Sequence, residues 1–478
     1  MNKGSTLLVC FDGLRRDRVT AELMPNLFRF MAEGSIFLHS RSIFPSETRV
    51  AVTSTMTGSP PGAHGVVANQ FIHTVRPDGL FRTSEWEDLE LAAAVGQLLD
   101  RQTMGERLAA AGRTMAVVST ATKGASRMMN SSAHALGQPV FSVHGTPVST
   151  PEVHDAVVAQ LGDIPPAGAP NSDRVTYATT ALMEVVFPRY QPNFTIFWIN
   201  EPDTSSHQFG VLGAETEAAQ RMADDNFGRI LAWWKADNGP ENIVVMSDHG
   251  QITGHQQLET LDIIPARFGR ASVGSFSGVY LDDVSDARKA ELVDWLVQQD
   301  FCGLVFASDA GGNAISGALP WSAVRNDHFR GADVGFTLRA TNSSQNYGPD
   351  RDGCVFADWI TPGGGMHGGL NRGELSTVLA AQGKAYRRYF ASDVPCWLPD
   401  IIPTILTTMG LSCEGAEGRP LVEALVGDDP RFGVAPIVET RTLSSERHGH
   451  KQFLRQWVVD GRTIVDCGWT EGTGAWAL

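Results

Sequence analysis

The chain has 478 residues, with 38 basic and 53 acidic side chains and a formal charge of −15. This length allows a large core and about two globular units, and a content of 42% hydrophobic and 19% charged residues is typical of an ordinary folded protein. Because clustered Lys and Arg bind phosphate backbones, the acidic balance argues against a nucleic-acid polymer as partner; a small anion held through a metal remains compatible with it.

Three further features concern the compartment of the protein. The sequence has no run of about 18 apolar residues, so we expect no membrane span. The first residues lead directly into the short run TLLVCF, which lacks the length of a secretory signal. The cysteines form no CxxC pair and are scattered, at Cys10, Cys302, Cys354, Cys396, Cys413 and Cys467. Reduced thiols in a cytoplasmic protein are therefore expected.

Apolar runs and helical spacing alternate along the first half of the chain, which is typical of an α/β protein. The run TLLVCF, residues 6–11, is apolar almost throughout, as in a strand covered on both faces of a parallel sheet. Further strands are predicted at residues 35–44, 114–120, 194–200 and 242–247, and helices at 24–34, 95–112, 175–190 and 215–234. Residues 130–173, rich in Ser, Pro, Gly and Ala, are predicted to be a surface loop or an excursion from the core.

The pattern changes between His249 and His367. A strand at residues 275–280, a helix at 286–299 and a strand at 303–307 predict a compact α+β unit. We therefore predict an inserted cap over residues 254–362 and a discontinuous α/β core formed by residues 1–253 and 363–478, with a mostly parallel central sheet flanked by helices. In the second core segment, 376–383 is a predicted strand and 397–410 an apolar helix, whereas 411–478 shows no clear pattern.

The segment FPSETRVAVTSTMTGSPPGAHGVVAN, residues 44–69, places Thr48 between a turn and the start of an apolar helix. A threonine in this position has two interpretations. It can cap the helix, or it can attack an anionic group held at the positive helix end. The segment alone does not choose between them.

Acidic residues follow three of the predicted strands: Asp12, Asp203 and Asp248. In open α/β sheets ligands bind outside the carboxyl ends of the strands, so these residues can converge although they are far apart in sequence. Asp203 and His207 are four residues apart, which places both on one face of a helical turn. Asp248 and His249 are adjacent at a strand end.

A third histidine, His367, stands in the glycine-rich sequence TPGGGMHGG, which suits a backbone packed closely around a ligand. The three Asp and three His are the right number for two metal sites with three protein ligands each, leaving a position open for substrate. This donor set favours two Zn²⁺ ions, with Mn²⁺ or Fe as alternatives.

As an ordered set these motifs resemble the alkaline phosphatase superfamily, and within it the nucleotide pyrophosphatase/phosphodiesterase and phosphonoacetate hydrolase branch. Gly58 follows Thr48 by ten residues and Asn69 follows it by twenty-one, as in that branch. The ligand motifs also come in the same order: Asp-Gly, Asp-x-x-x-His, Asp-His-Gly and a late His-Gly. The resemblance covers about residues 7–410, and in it His64 is a structural element and not a ligand.

The resemblance implies an alkaline-phosphatase-like core and a two-metal hydrolase of phosphate esters that acts through a phosphothreonine intermediate. One ion would be held by Asp12, Asp248 and His249 and would also bind Thr48; the other would be held by Asp203, His207 and His367. Asn69 and a main-chain N–H near Arg49 would bind a phosphoryl oxygen.

The chain departs from the branch directly after the nucleophile, where RVAV stands in place of the common FPNH or NPNN. Arg49 therefore either contacts substrate or faces solvent. The C-x-P-x-R signature of the formylglycine sulfatases and phosphonate monoester hydrolases is absent, which argues against that branch.

The choice of substrate depends on the cations in the catalytic loops, because a dianionic monoester benefits from an added cation and a diester does not. These cations are few: Arg49, Lys123 and Arg127. A phosphodiesterase is therefore favoured. The alternatives are a phosphonoacetate hydrolase-like enzyme that cleaves a C–P bond, in which Lys123 would bind the substrate carboxylate, a phosphomonoesterase, and a catalytically silent binding protein without metal.

The expected partner is a small phosphorylated or phosphonate substrate, with no membrane involved. Trp233 and Trp234, adjacent on a predicted helix, indicate either a contact between subunits of a homo-oligomer or ordinary core packing.

Overall fold

The computed structural model describes residues 4–76, 79–258, 263–271, 276–308, 314–341, 355–358, 360–427, 429–432, 434 and 436–472. The strands are β1 (Thr6–Phe11), β2 (Ser35–Phe37), β3 (Ser40–Arg41), β4 (Gln70–Ile72), β5 (Leu80–Arg82), β6 (Met115–Ser119), β7 (Val140–Ser142), β8 (Phe194–Ile199), β9 (Asn242–Met246), β10 (Ile252–Leu258), β11 (Gly269–Ala271), β12 (Phe276–Leu281), β13 (Cys302–Ala307), β14 (Leu319–Pro320), β15 (Val334–Leu338), β16 (Val355–Asp358), β17 (Gly365–Met366), β18 (Leu379–Gly383), β19 (Phe390–Ser392), β20 (Cys396–Trp397), β21 (Val438–Arg447), β22 (His450–Val459) and β23 (Arg462–Thr470).

The α-helices are α1 (Pro25–Glu33), α2 (Thr48–Thr57), α3 (Pro61–His64), α4 (Trp86–Ala94), α5 (Met104–Ala110), α6 (Lys123–Met129), α7 (Ala133–Leu136), α8 (Pro151–Leu161), α9 (Ser172–Ala181), α10 (Phe187–Tyr190), α11 (Asp203–Phe209), α12 (Ala214–Lys235), α13 (Asp286–Leu296), α14 (Arg372–Leu375) and α15 (Ile401–Thr408). A π-helical turn, Leu182–Val186, joins α9 to α10. Turns of 3₁₀-helix lie at Arg16–Arg18, Ala266–Phe268, Trp321–Val324, Leu398–Asp400 and Val422–Ala424.

The central sheet has eight strands in the order β19-β2-β18-β9-β1-β8-β6-β7. β1 lies between β8 and β9 and is parallel to both, with Leu8 opposite Ile196 and Val244. β18 runs antiparallel to its neighbours β2 and β9, and the other seven strands run in one direction. The predicted α/β class with a mostly parallel central sheet is confirmed, and the loops after β1, β8 and β9 meet at one edge of the sheet.

Helices cover both faces of this sheet, which explains why its strands are apolar at successive positions. On β1, Leu8 and Cys10 face a buried cluster with α2, α5, α6 and α15. Leu7, Val9 and Phe11 face a second cluster with α1, α9 and α12. Since each large apolar side chain buried here contributes about 1.5–3 kcal/mol, the strand ends that carry the polar loops are held firmly in place.

A second sheet, β11-β12-β15-β13-β14, packs against α13 around a core of its own. β10 pairs with β16 in parallel and with β17 in antiparallel orientation, so the chain returns beside the strand from which it left the core. The five-stranded sheet and α13 lie within the residues predicted to form the α+β cap. The boundaries of that cap stay a prediction, and Ser275 of its first predicted strand lies outside the described residues.

The C-terminal segment, for which the sequence predicted no structure, forms the antiparallel sheet β21-β22-β23. The Gln452 side chain accepts a hydrogen bond from the Val305 amide at 2.7 Å, which attaches this sheet to β13. Arg41 donates to Asp466 at 2.8 Å, which attaches it to β3 of the core. The C-terminal sheet therefore contacts both the core and the five-stranded sheet.

Residues 95–112 do not form the single helix that the sequence predicted. α4 ends at Ala94, and Gly96 takes a φ of 67°, which a helix does not tolerate. The next helix begins only after Thr103, whose side chain forms a capping box with Glu106. The predicted strand at residues 35–44 is likewise two short strands, β2 and β3, which belong to different sheets.

The prediction of a surface loop at residues 130–173 is wrong, because this segment contains α7, β7 and α8. β7 is buried and pairs in parallel with β6 at the edge of the central sheet. α8 begins at Pro151, a residue that favours the first helical position. With three residues, β7 is too short to give a recognisable apolar run.

Two expectations about the whole chain can be compared with the described residues. None of the helices they form has both the length and the apolarity needed to cross a membrane. Their five cysteines carry free thiols, and Cys354 lies outside the described residues.

The Trp233 ring packs on Phe187 at 5.0 Å between centroids, and the Trp234 indole donates to the Pro240 carbonyl at 2.7 Å, so both tryptophans make contacts within the chain.

Candidate metal centre

The loops after β1, β8 and β9 and the segment after β17 bring six side chains together at one edge of the central sheet. They form two groups, and the ligand atoms of each group lie within 4.8 Å of one another. The groups are Asp12, Asp248 and His249, and Asp203, His207 and His367. The structure thus brings together the six residues implied as metal ligands, in the same division.

The first group is buried between β1 and β9. The Nε2 atom of His249 lies 3.5 Å from Asp12 Oδ1 and 3.2 Å from Asp248 Oδ2. The other oxygen of each carboxylate accepts a hydrogen bond: Asp12 Oδ2 from the Trp198 indole at 2.8 Å, and Asp248 Oδ1 from the Gly13 amide at 3.1 Å. Each carboxylate is therefore held by one oxygen and directs the other toward the group.

The second group is built on α11, where Asp203 is the first residue and His207 follows one turn later. Asp203 Oδ1 lies 3.3 Å from His207 Nε2 and 3.6 Å from His367 Nε2, and the Gln251 side-chain amide donates to the same oxygen. The rings of His367 and His249 stack with centroids 3.8 Å apart. The two groups are therefore in direct contact.

The backbone orients all three imidazoles in the same way. Each Nδ1 atom faces a carbonyl oxygen, which can only accept a hydrogen bond, so Nδ1 carries the hydrogen and Nε2 carries the lone pair. The acceptors for His207, His249 and His367 are the carbonyl oxygens of Gly365, Gly250 and Ser46, at 2.8, 3.0 and 2.8 Å. Outer partners of this kind are typical of metal-binding histidines.

The donor set fits divalent cations. Nε2 lone pairs and carboxylate oxygens, which are all acceptors, face one another at 3.2 to 3.6 Å. Asp12 Oδ1 and Asp248 Oδ2 are buried and have no hydrogen-bond partner among the described residues. Buried oxygens of this kind are costly to leave unpaired, and a cation between the donors removes that cost. Asp and His donors suit zinc or a similar divalent ion.

The charges of the carboxylates lead to the same conclusion. Burial raises the pKa of Asp12 well above its ordinary value, and the carboxylates of Asp248 and Asp203 raise it further. Burial also raises the pKa of Asp248. For Asp203, burial is outweighed by His207 and His367, which in their protonated forms hold the pKa of this carboxyl below its ordinary value. A bound cation would take the place of those protons. Asp12 and Asp248 lose their protons less readily than ordinary carboxyls, and a bound cation would favour the ionised form that a metal ligand requires.

Thr48 lies directly against the first group, with its Oγ1 atom 3.2 Å from Nε2 of His249. Thr48 is the first residue of α2, and Glu47 occupies the N-cap position. The structure therefore contradicts the interpretation of Thr48 as a cap. The free N–H groups and the positive end of α2 are directed at this site, as a nucleophile that attacks an anion requires.

Asn69 is positioned beside the nucleophile by its backbone. Its amide N–H donates to the Glu47 carboxylate, and its carbonyl oxygen accepts from the Thr83 hydroxyl at 2.8 Å. The Asn69 Oδ1 atom is buried without a hydrogen-bond partner among the described residues. Burial raises the pKa of Glu47 to about 7, although the Asn69 N–H opposes this. The Asn69 side-chain oxygen is thus not used to hold the fold.

Arg49 is partly buried, and its Nε atom lies 3.4 Å from the Thr83 hydroxyl. Burial lowers the pKa of this guanidinium, and Glu47 opposes the change, together with the metal-centre carboxylates of Asp12, Asp203 and Asp248. This proximity to the carboxylates favours a substrate contact over a side chain directed at solvent.

Lys123 is exposed at the first position of α6. The next residue, Gly124, approaches Thr83 so closely that an added Cβ would lie 1.9 Å from its carbonyl oxygen. Arg49 and Lys123 therefore both lie near Thr83. The third cation of the catalytic loops, Arg127, is paired with Glu90 at 2.7 Å.

Sequence reasoning missed two residues that hold the ligands, Trp198 and Gln251. Trp198 belongs to the apolar strand β8, and an apolar run gives no sign that one indole N–H donates to Asp12. Gln251 stands two residues after His249, outside any motif. The adjacency of β8 and β1 is the only signal that points to Trp198, and it requires the sheet order.

A mostly parallel central sheet flanked by helices, with a threonine at a helix start beside two Asp/His groups, is consistent with an alkaline-phosphatase-like core. Residues 6–298 match the family described as type I phosphodiesterase / nucleotide pyrophosphatase. The chain belongs to this family, as the resemblance in the sequence predicted.

Several curated proteins are similar to the chain. Bis(5'-adenosyl)-triphosphatase enpp4 of Xenopus laevis is 26% identical over 247 residues, which is 51% of this chain and 46% of that protein. The venom phosphodiesterase of Macrovipera lebetinus is 24% identical over 248 residues, 51% of this chain and 25% of the relative. Ectonucleotide pyrophosphatase/phosphodiesterase family member 3 of Rattus norvegicus is 24% identical over 249 residues, which is 51% of this chain and 24% of that protein. The chain thus spans half or less of the length of these relatives.

Proposed function

We propose that the protein is a two-metal hydrolase of phosphate diesters that acts through a phosphothreonine intermediate on Thr48. The observation that carries this proposal is the contact between the Thr48 hydroxyl and His249, at 3.2 Å, at the edge of two metal-ligand groups. Membership of the phosphodiesterase family supports it, as do relatives named for phosphodiesterase and dinucleotide triphosphatase activity.

Asp12, Asp248 and His249 would hold one ion, and Asp203, His207 and His367 the other, with Zn²⁺ favoured over Mn²⁺ or Fe. Ions bound there supply the positive charge that favours an ionised Thr48 hydroxyl and neutralises the phosphoryl oxygens. The Nδ1 contacts of the three histidines keep every Nε2 lone pair directed inward, and Trp198 and Gln251 keep two of the carboxylates in place.

The Thr48 oxygen attacks phosphorus, the bond from phosphorus to the leaving oxygen breaks, and the leaving alkoxide takes a proton from water. Water then attacks the phosphothreonine, which restores the Thr48 hydroxyl and releases a phosphate monoester. The N–H groups of the first turn of α2 and the Asn69 amide donate to the non-bridging oxygens. Each such donor stabilises the transition state by about 3 kcal/mol.

The charges around the site favour a diester over a monoester. Arg127 is committed to Glu90, and Lys123 is exposed, which leaves Arg49 as the guanidinium close to the metal-centre carboxylates. A single nearby cation suits a singly charged diester better than a dianionic monoester.

One observation favours phosphonoacetate hydrolysis as a second candidate: Arg49 and Lys123 both lie near Thr83, where they could bind a substrate carboxylate. A comparison of bis(p-nitrophenyl) phosphate, p-nitrophenyl phosphate and phosphonoacetate as substrates separates the candidates. We expect the diester to give the highest kcat/KM, and Lys123→Ala to leave that value within about twofold. If only phosphonoacetate is hydrolysed, and Lys123→Ala abolishes its turnover, the diesterase proposal is wrong and the second candidate is correct.

A further inference from the structure

A cavity of about 310 Å³ lies between the loop that follows β1, the segment that contains β2 and β3, and α14. The titratable side chains that line it are four arginines, one aspartate and one histidine: Arg15, Arg16, Arg41, Arg372, Asp17 and His39. None of the six metal ligands lines it, so it is separate from the candidate metal centre. Arginines concentrated around one cavity are unexpected in a chain whose formal charge is −15.

The guanidinium groups are held in place by the rest of the chain. Arg15 Nε donates to Asp17 Oδ1 at 2.9 Å. Arg41 donates to Asp466 Oδ1 through Nε at 3.0 Å and Nη2 at 2.8 Å, and its guanidinium carbon lies 4.9 Å from the centre of the Trp457 ring. Because these side chains are already ordered, an anion that binds them costs less conformational entropy.

The arginines around the cavity lie close enough to affect one another's pKa values. Burial lowers the pKa of Arg16, and Arg372 lowers it further; burial and then Arg41 lower the pKa of Arg372. The guanidinium groups therefore repel one another.

We propose that this cavity is an anion site that binds inorganic phosphate or the phosphoryl group of a small phosphate ester. Guanidinium groups offer paired N–H donors that match tetrahedral oxyanions, and they bind them more strongly than neutral donors do. A volume of about 310 Å³ has room for several groups the size of a water molecule, about 30 Å³ each. The site does not depend on the proposed catalytic function.

The cavity is connected to the metal centre through the backbone. Arg15 Nη1 donates to the Gln251 carbonyl oxygen at 3.3 Å, and the Gln251 side chain donates to Asp203. Beside Arg41, the Ser42 hydroxyl donates to the Asp248 carbonyl oxygen at 2.6 Å. Phosphate in the cavity therefore stabilises the segments that carry the metal ligands.

Equilibrium dialysis of the metal-loaded protein against [³²P]phosphate tests the site. We expect wild type to bind about two phosphates per chain, one at each site. Asp203→Asn removes the metal-centre phosphate and leaves one, whereas Arg16→Gln and Arg372→Gln each weaken the other site at least tenfold. Arg388→Gln, an exposed arginine outside the cavity, is the matched control and keeps both.

Thermal unfolding of each variant establishes that it is folded, and if one of the two arginine variants does not fold, the other decides the outcome. AMP is then added to the Asp203→Asn variant as a competitor for its remaining phosphate. Displacement of that phosphate shows that the cavity accepts a phosphate ester, and resistance to AMP shows that it prefers free phosphate. Both results support the site. One phosphate per wild-type chain, lost in Asp203→Asn and unchanged in both arginine variants, would overturn it.

Discussion

The Nε2 atom of His249 lies 3.2 Å from the Thr48 hydroxyl oxygen and also 3.2 Å from Oδ2 of Asp248. The Nδ1 atom of the same ring faces the Gly250 carbonyl oxygen, so Nε2 has no hydrogen to share with either neighbour. The Thr48 hydroxyl and the Asp248 carboxylate therefore both lie beside the lone pair of His249 Nε2. A cation at this point would contact the proposed nucleophile and its ligands together.

Thr48→Ala is expected to lower kcat for bis(p-nitrophenyl) phosphate by on the order of 10³-fold or more, because it removes the attacking oxygen. Acid-quenched wild type should carry a phosphate on Thr48 that mass spectrometry detects, and the variant should carry none. Thr57→Ala is the matched control, since this buried threonine of the same helix donates to the Thr53 carbonyl at 2.8 Å, away from the metal ligands. Wild-type turnover by Thr48→Ala would show that the nucleophile is assigned wrongly.

Trp198→Phe should weaken metal binding about 10- to 100-fold with little change in the fold, because it removes only the indole N–H that donates to Asp12 Oδ2 at 2.8 Å. Competition with a chelator measures this affinity. Trp397→Phe removes a comparable hydrogen bond, from Trp397 Nε1 to Asp400 Oδ1 at 3.1 Å, and Asp400 is not one of the six candidate metal ligands. Equal metal affinities in the two variants would show that the Trp198 contact does not position the ligand.

His367→Gln is expected to reduce the metal content from about two ions per chain to about one, because it removes one of the three ligands of the second group. Elemental analysis after dialysis measures the content. His64→Gln is the contrasting change: His64 is buried, and its ring contacts Ser54 Oγ at 2.8 Å and the Val66 amide at 3.1 Å. We expect His64→Gln to lower the unfolding temperature and to keep both ions; the loss of an ion from it as well would contradict the ligand assignment.

Glu374 gives a pH dependence of stability that can be isolated. Its carboxylate accepts from the amides of Gly369 and Asn371, and burial raises its pKa from 4.5 to about 7. Between these pH values Glu374 keeps its proton in the folded state and has lost it in the unfolded state. The contribution of this carboxyl group to stability therefore falls as pH rises. A pKa raised from 4.5 to about 7 corresponds to about 3 kcal/mol of stability.

Glutamine does not titrate, so the Glu374→Gln variant does not have this pH dependence. The free energy of unfolding of wild type minus that of the variant should therefore fall by about 3 kcal/mol between pH 4.5 and pH 8. Urea unfolding at several pH values measures this difference, and other groups that titrate in both proteins cancel. Glu414→Gln, an exposed substitution, should show a constant difference. A difference for Glu374→Gln that rises with pH would mean that this carboxyl is stabilised in its ionised form.

Asp12, Asp203 and Asp248 were predictable because each follows a strand of continuous apolar residues, and parallel strands bring their carboxyl ends to one edge. The Trp198 hydrogen bond was not predictable, since it depends on which strand lies next to β1. The C-terminal sheet was hidden for another reason. Gln452 and Gln456 of β22 are buried and bind backbone carbonyls of Gly317 and Ala323, so the inward face of that strand does not look apolar.

The position of β1 between β8 and β9 has a consequence for biosynthesis. The amino-terminal strand supplies Asp12 early, but its neighbours and the late ligand His367 are made much later. A nascent chain cannot complete the second group until His367 has left the ribosome. If both groups bind ions as proposed, full ion uptake would be a late event of maturation, and a truncated translation product would lack a complete centre.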